Sequence, residues 1–238
     1  MCYTIALNKT RTEIEQRYGK KFNPKAHFRP SYYVTGFAFP SHPVITSVSE
    51  EIEMYDWGLI PFWFKEKDDL NKIRTSTLNA RSESVDKKPS FRQAYKSNRC
   101  LIPASGFFEW HTKGKEKIPY FIHLKNNKIF SIAGIFDHWK DASGKKTTTF
   151  SVITTAANPL MEKIHNTKKR MPVILSEEQE PLWLDDEISA EQRKKLFEPF
   201  PEEKLDAHTI SKLITKRGAD KNVPELIEPY HYEEPGLF

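Results

Sequence analysis

Five short runs between residues 100 and 154 constrain the fold more than anything else in the chain. They are Cys100-Leu-Ile-Pro103, Gly106-Phe-Phe-Glu-Trp110, Tyr120-Phe-Ile-His-Leu124, Ile129-Phe-Ser-Ile-Ala-Gly-Ile135 and Thr147-Thr-Thr-Phe-Ser-Val-Ile-Thr154. Their β-branched and aromatic side chains suit a pleated surface. Asn126-Asn127 and Ser143-Gly144 fall between runs as hairpin turns. Strands that follow one another without intervening helices argue against βαβ units. The pattern predicts an α+β protein: a mostly antiparallel β-sheet able to close into a barrel, with short flanking helices.

The helices are marked by their caps. Thr10 with Glu13 forms a capping box and Gly19 a stop, so a helix is expected over 11–18. Further short helices are expected over 90–96 and, behind the Asn158-Pro159 cap, over 159–165. Ser176 with Gln179 and Ser189 with Gln192 make two more capping boxes. Glu51 to Trp63 reads as a strand, and residues 22–46 as extended chain around turns. With no repeat, low-complexity stretch or linker, residues 1–238 are taken as a single domain.

Such a chain can bury a full core without staples. Its two cysteines, Cys2 and Cys100, supply neither a disulfide framework nor a four-cysteine zinc site. There is no apolar run of about 18 residues and no secretory signal pattern. A cytoplasmic, monomeric protein is expected. Residues 176–207 carry eleven acidic and four basic side chains, a net −7, so the remainder carries +12 within the overall +5. A basic body with one acidic segment suits a polyanion on one face, although Lys and Glu also simply keep surfaces soluble.

Cys2 is the first candidate for chemistry. Removal of Met1 would expose an α-amine of pKa about 7.7–8 beside a thiol of about 8.5. This 1,2-aminothiol closes on an aldehyde to form a five-membered thiazolidine; otherwise position 2 is incidental. Cys100, in an apolar run, reads as a core thiol. Asn79 and Arg81 could be an amide donor and a phosphate clamp, or a turn residue and a surface cation. Glu109 is either a carboxyl with a raised pKa suited to proton transfer or a Glu on the wet face of its strand. His165, near a helix end before a basic loop, is a proton carrier or a structural imidazole. The Trp57–Phe64 aromatic cluster beside Lys65 and Lys67 suits either base stacking or core packing. No metal-ligand spacing, Gly-rich nucleotide loop or serine-nucleophile elbow occurs, so neither metal nor cofactor is expected.

Read in order, these pieces resemble the SOS response-associated peptidase (SRAP) family, whose members shield abasic sites in single-stranded DNA. The matching elements are Met1-Cys2, Trp57-Gly-Leu-Ile-Pro61, Asn79-Ala-Arg-Ser-Glu83, Ile102 through Glu109-Trp110, Thr154 through Asn158, Ile164-His165 and Arg170-Met-Pro-Val-Ile-Leu175. His208-Thr-Ile-Ser-Lys212, Asn222 and Glu225-Leu-Ile227 extend the match late into the chain.

The resemblance implies catalytic roles for four residues. Cys2 would be the covalent nucleophile, Asn79 a holder of the N-terminus and sugar, Glu109 the acid/base, and His165 a sugar contact and proton shuttle. Arg81 would contact a phosphate, while Pro40, Trp63 and Phe64 would stack on or wedge between bases. The implied partner is single-stranded DNA with an abasic site, bound with little sequence preference and associated with the nucleoid. Two departures stand out. The chain begins Met-Cys-Tyr-Thr where family members commonly begin Met-Cys-Gly-Arg, and the segment from His165 to Pro172 is longer than the shortest family pattern. Competing expectations are a cysteine peptidase acting in trans and a noncovalent single-strand binding module. A lyase side reaction through the imine could accompany the covalent route.

Overall fold

The computed structural model describes residues 2–65 and 69–232. Met1, whose removal the aminothiol needs, and Lys67 of the aromatic cluster lie outside these residues. Fourteen strands are present among the described residues: β1 (Thr4–Leu7), β2 (Lys21–Phe22), β3 (Ser31–Thr35), β4 (Ser41–Thr46), β5 (Glu51–Trp57), β6 (Asn79–Arg81), β7 (Arg99–Ala104), β8 (Gly106–Lys113), β9 (Glu116–Leu124), β10 (Phe130–Lys140), β11 (Lys146–Ala156), β12 (Arg170–Pro172), β13 (Ile174–Leu175) and β14 (Leu205–Thr209). The α-helices are α1 (Arg11–Tyr18), α2 (Leu70–Ser76), α3 (Arg92–Ser97), α4 (Pro159–Ile164), α5 (Gln179–Leu184) and α6 (Ala190–Lys195).

A five-strand barrel organises these elements. β4 pairs antiparallel with β5 and β7, and β10 pairs antiparallel with β7 and β11. The ring closes where β11 meets β5 in parallel, Thr149 opposite Asp56 and Phe150 opposite Trp57. Closure removes the free edges that an open sheet would present. Trp57 and Phe150, stacked at 5.8 Å, fill the seam inside. Beside the barrel lies a fully antiparallel sheet in the order β14-β9-β8-β1-β3. Ile5 and Phe107 of this sheet join barrel residues Ile102, Phe136 and Val152 in one buried cluster. Gly106 is required where β8 passes β9, because a Cβ there would run into the Phe121 ring.

Local signals are obeyed closely. Thr10 and Glu13 form the complete capping box of α1, and Gly19 ends it in the left-handed conformation. Asn158 caps α4 and Ser189 with Gln192 caps α6. At Ser176 only half of the expected box forms: Gln179 Oε1 accepts the Ser176 N–H at 3.0 Å, and Glu178 is the residue flanking α5. The strand expected to reach Trp63 stops at Trp57, because Gly58 turns the chain with a φ of 101°. The acidic segment contributes α5 and α6, with Trp183 buried and its Nε1–H donating to the Cys100 carbonyl at 3.0 Å. No helix among the described residues is long and apolar enough to cross a membrane.

Candidate active site

Cys2 enters the protein just ahead of β1, the strand wedged between β8 and β3. The Tyr3 carbonyl accepts the Gly36 N–H at 2.8 Å, which ties the chain start to the turn after β3. Cys2 is fully buried, and its thiol donates weakly to the Thr4 carbonyl at 3.9 Å. Burial, reinforced by the nearby Glu109 carboxyl, pushes this thiol well above its ordinary range.

Glu109 comes from the neighbouring strand. β1 and β8 pair Ile5 with Phe107. Continued by two residues, that antiparallel register brings Tyr3 opposite Glu109. Alternation puts Glu109 on the Phe107 face, which packs toward the barrel, while Phe108 faces the other way. Glu109 is therefore 3% exposed and lies on no wet face. Burial raises its pKa from 4.5 to about 7.

His165 is the C-cap of α4, its N–H bonded to the Met161 carbonyl at 2.7 Å. Its Nδ1 lies 2.9 Å from the Arg170 carbonyl and 3.7 Å from Glu109 Oε1. A carbonyl only accepts, so Nδ1 carries the proton and the tautomer is fixed. Burial pushes the imidazole pKa down, so the ring is neutral at pH 7. Cys2, Glu109 and His165 thus meet from three elements far apart in sequence.

Asn79 opens β6, which lies parallel to β11 with Asn79 opposite Val152. Both the Nδ2 and Oδ1 atoms are buried without a hydrogen-bond partner in the protein. Its predecessor Leu78 packs in the same cluster as Cys2. Arg81, two residues on and hence on the same side of the strand, is exposed and acts electrostatically on Tyr3. The Arg170 guanidinium clasps Glu83 and donates to the Thr154 carbonyl at 2.6 Å, tying the 165–170 loop to the Asn79 segment.

The stacking candidates divide. Trp63 is 46% exposed, and Pro40 is partly exposed with its carbonyl accepting the Trp57 N–H at 2.9 Å. Phe64 is packed inward, edge-on to Trp139, while its carbonyl accepts the Trp139 Nε1–H at 2.9 Å. Phe62 is exposed alongside Trp63, and its N–H donates to the buried Asp137 Oδ2 at 2.9 Å. The sequence reading missed Phe62, because consecutive aromatic residues do not show which one turns outward. It also missed Lys168, whose charge acts on both Glu109 and His165 and which the basic Thr167–Arg170 run only hinted at. Among the described residues no group of three or more His, Cys, Asp or Glu is placed to hold a metal ion.

A buried thiol close to the chain start thus lies near a buried carboxyl and a buried imidazole, between a five-strand barrel and an antiparallel sheet. The chain belongs to the SOS response associated peptidase (SRAP) family, whose model matches residues 1–217. Among its relatives, the abasic site processing protein YoqW of Bacillus subtilis is 37% identical over 223 residues, covering 91% of this chain and 94% of the relative. The abasic site processing protein HMCES of Gallus gallus is 32% identical over an alignment of 255 positions, covering 92% of this chain and 73% of the relative. A crystal structure of a Bacteroides thetaiotaomicron protein superposes with a TM-score of 0.91 at 39% identity, covering 97% of this chain and all of that one. A Bordetella bronchiseptica protein at 22% identity and a TM-score of 0.73 shares the fold.

Proposed function

We propose that this chain captures abasic sites in single-stranded DNA by a covalent thiazolidine link to Cys2, once Met1 has been removed. The observation that carries this reading is the convergence of Cys2, Glu109 and His165, together with an Asn79 amide that has no protein partner and follows Leu78 of the Cys2 cluster. The ring-opened abasic sugar is an aldehyde. The Cys2 amine adds to its carbon and water leaves, forming an imine. The Cys2 sulfur then bonds to the same carbon, and the thiol proton ends on the ring nitrogen. One water is lost overall.

Each neighbour has a task in that sequence. A carboxyl with a pKa of about 7 is present in both forms at neutral pH. Glu109 can therefore protonate the departing hydroxyl and later accept a proton from the thiol. That thiol needs a base because burial holds it protonated. His165, neutral and with a fixed tautomer, contacts the sugar and relays protons. The Asn79 amide holds the sugar remnant, and Arg81 contacts a phosphate. Trp63 and Pro40 take the stacking role, with Phe62 in place of the inward Phe64.

The protonated thiol also weighs against a peptidase acting in trans. Peptide attack starts from thiolate, whereas aldehyde capture starts from the amine. A denaturing gel tests the proposal. Protein with a mass-verified Cys2 N-terminus, mixed with single-stranded DNA carrying one abasic site, should give a shifted band that is absent for Cys2→Ala and for intact DNA. An unshifted wild-type lane would overturn it. Equal, salt-sensitive retention of abasic and intact strands on a native gel would then favour plain binding.

A further inference from the structure

The residue after the nucleophile departs from the usual family start, and the structure gives it a specific neighbour. The Tyr3 ring lies 4.9 Å from the Phe37 ring, centroid to centroid, at an interplanar angle of 37°. Phe37 stands on the short 3-10 turn of residues 36–38 and is 57% exposed. The turn is fixed from below, since Gly36 donates to the Tyr3 carbonyl and the Phe39 N–H returns to the Gly36 carbonyl at 2.9 Å. Tyr3 is partly exposed and packs on its inner side against the cluster that includes Cys2. Its hydroxyl feels the charges of both the Glu109 carboxyl and the Arg81 guanidinium.

We infer that Tyr3 and Phe37 form an aromatic shelf that stacks the nucleobase next to the abasic nucleotide. The inference deepens the proposed function and rests on it for the position of the lesion. Consecutive Cα atoms are about 3.8 Å apart, and stacked nucleotides repeat at about 3.4 Å along one strand. A sugar joined at Cys2 therefore lies within about one nucleotide step of residue 3. A π-face accepts any base, so the shelf adds affinity without reading sequence. Arg81 beside it attracts the backbone linking that base to the lesion. This arrangement supplies affinity where the chain has Thr4, buried, in place of a basic residue near its start.

The test uses strands containing tetrahydrofuran, an abasic analogue without an aldehyde, so no crosslink forms. One probe keeps both flanking bases; two others replace the nucleotide on one side or the other with a second tetrahydrofuran. Anisotropy should show Tyr3→Ala and Phe37→Ala each weakening binding to the fully flanked probe by about fivefold or more. On the probe lacking the shelved base, wild type and variants should bind alike. Tyr3→Phe should bind as wild type, because the ring and not the hydroxyl does the stacking. Equal loss on all three probes, or no loss from Phe37→Ala, an exposed residue whose removal spares the core, would overturn the shelf. The two proposals fail separately. Normal crosslinking of aldehyde DNA with no flanking-base dependence sinks the shelf alone. Flanking-base dependence without any crosslink sinks the covalent reading alone.

Discussion

Arg99 and Asn79 both bury polar atoms, yet the protein treats them in opposite ways. Arg99, 2% exposed, spends every donor. Its Nε donates to the Trp183 carbonyl at 2.8 Å, Nη1 to the Tyr95 and Lys96 carbonyls, and Nη2 to the Asp185 carbonyl and Asp186 Oδ1. This cradle fastens the acidic α5 segment to β7. Asn79 finds no protein partner at either end of its amide. Leaving a buried polar group unpaired costs about 1–3 kcal/mol. On the proposed function, a ligand that completes the Asn79 bonds offsets that cost. Arg99 is a polar group that builds the fold, whereas Asn79 is one that, on the proposed function, holds the sugar remnant.

The largest expected effect falls on Glu109, the proton carrier of the proposed function. Glu109→Gln should slow crosslinking by roughly 10²–10⁴-fold, measured by quenched time courses on denaturing gels. The wild-type rate should show an inflection near pH 7 that the variant lacks, since burial sets the Glu109 pKa at about 7. Stability gives the matching sign. A carboxyl whose folded pKa is raised above 4.5 favours the native state fully only below that value, and this contribution is lost as pH rises through 7. Glu109→Gln should thus be more stable than wild type by roughly 1–3 kcal/mol at pH 8 and level with it below pH 4.5.

Next comes the pair itself. Arg99→Met should lower stability by about 3–5 kcal/mol, because it leaves several carbonyls and Asp186 without their donor, while crosslinking well below the melting temperature stays near the wild-type rate. Asn79→Ala should do the reverse. Its melting temperature should move by little or rise, and its crosslinking rate should fall roughly tenfold to a hundredfold. An Asn79→Ala protein that unfolds like Arg99→Met, or crosslinks at full rate, would break the comparison.

Local chemistry made much of the fold legible. The caps at Thr10, Asn158 and Ser189, and the turns at Asn127 and Gly144, are written within four residues and appear where the sequence put them. Barrel closure was not legible in detail, because the parallel meeting of Phe150 with Trp57 joins segments more than ninety residues apart with no local signature. Glu109 was ambiguous for a related reason. Phe107 and Phe108 are both apolar, so alternation alone does not say which face of β8 turns inward. Phe64 turns inward and Phe62 outward because Gly58 and Pro61 turn the chain out of the strand, and Asp137 then holds Phe62 by its backbone. Tyr3 opposite Glu109 follows from strand register, which no single stretch of sequence reveals.

The most direct test of the account is intact-mass spectrometry of the protein after reaction with abasic single-stranded DNA and nuclease digestion. The account predicts the Met1-less chain plus the abasic remnant minus one water, with fragmentation placing the added mass on Cys2. A species modified at a lysine, or one modified while Met1 is still present, would contradict it.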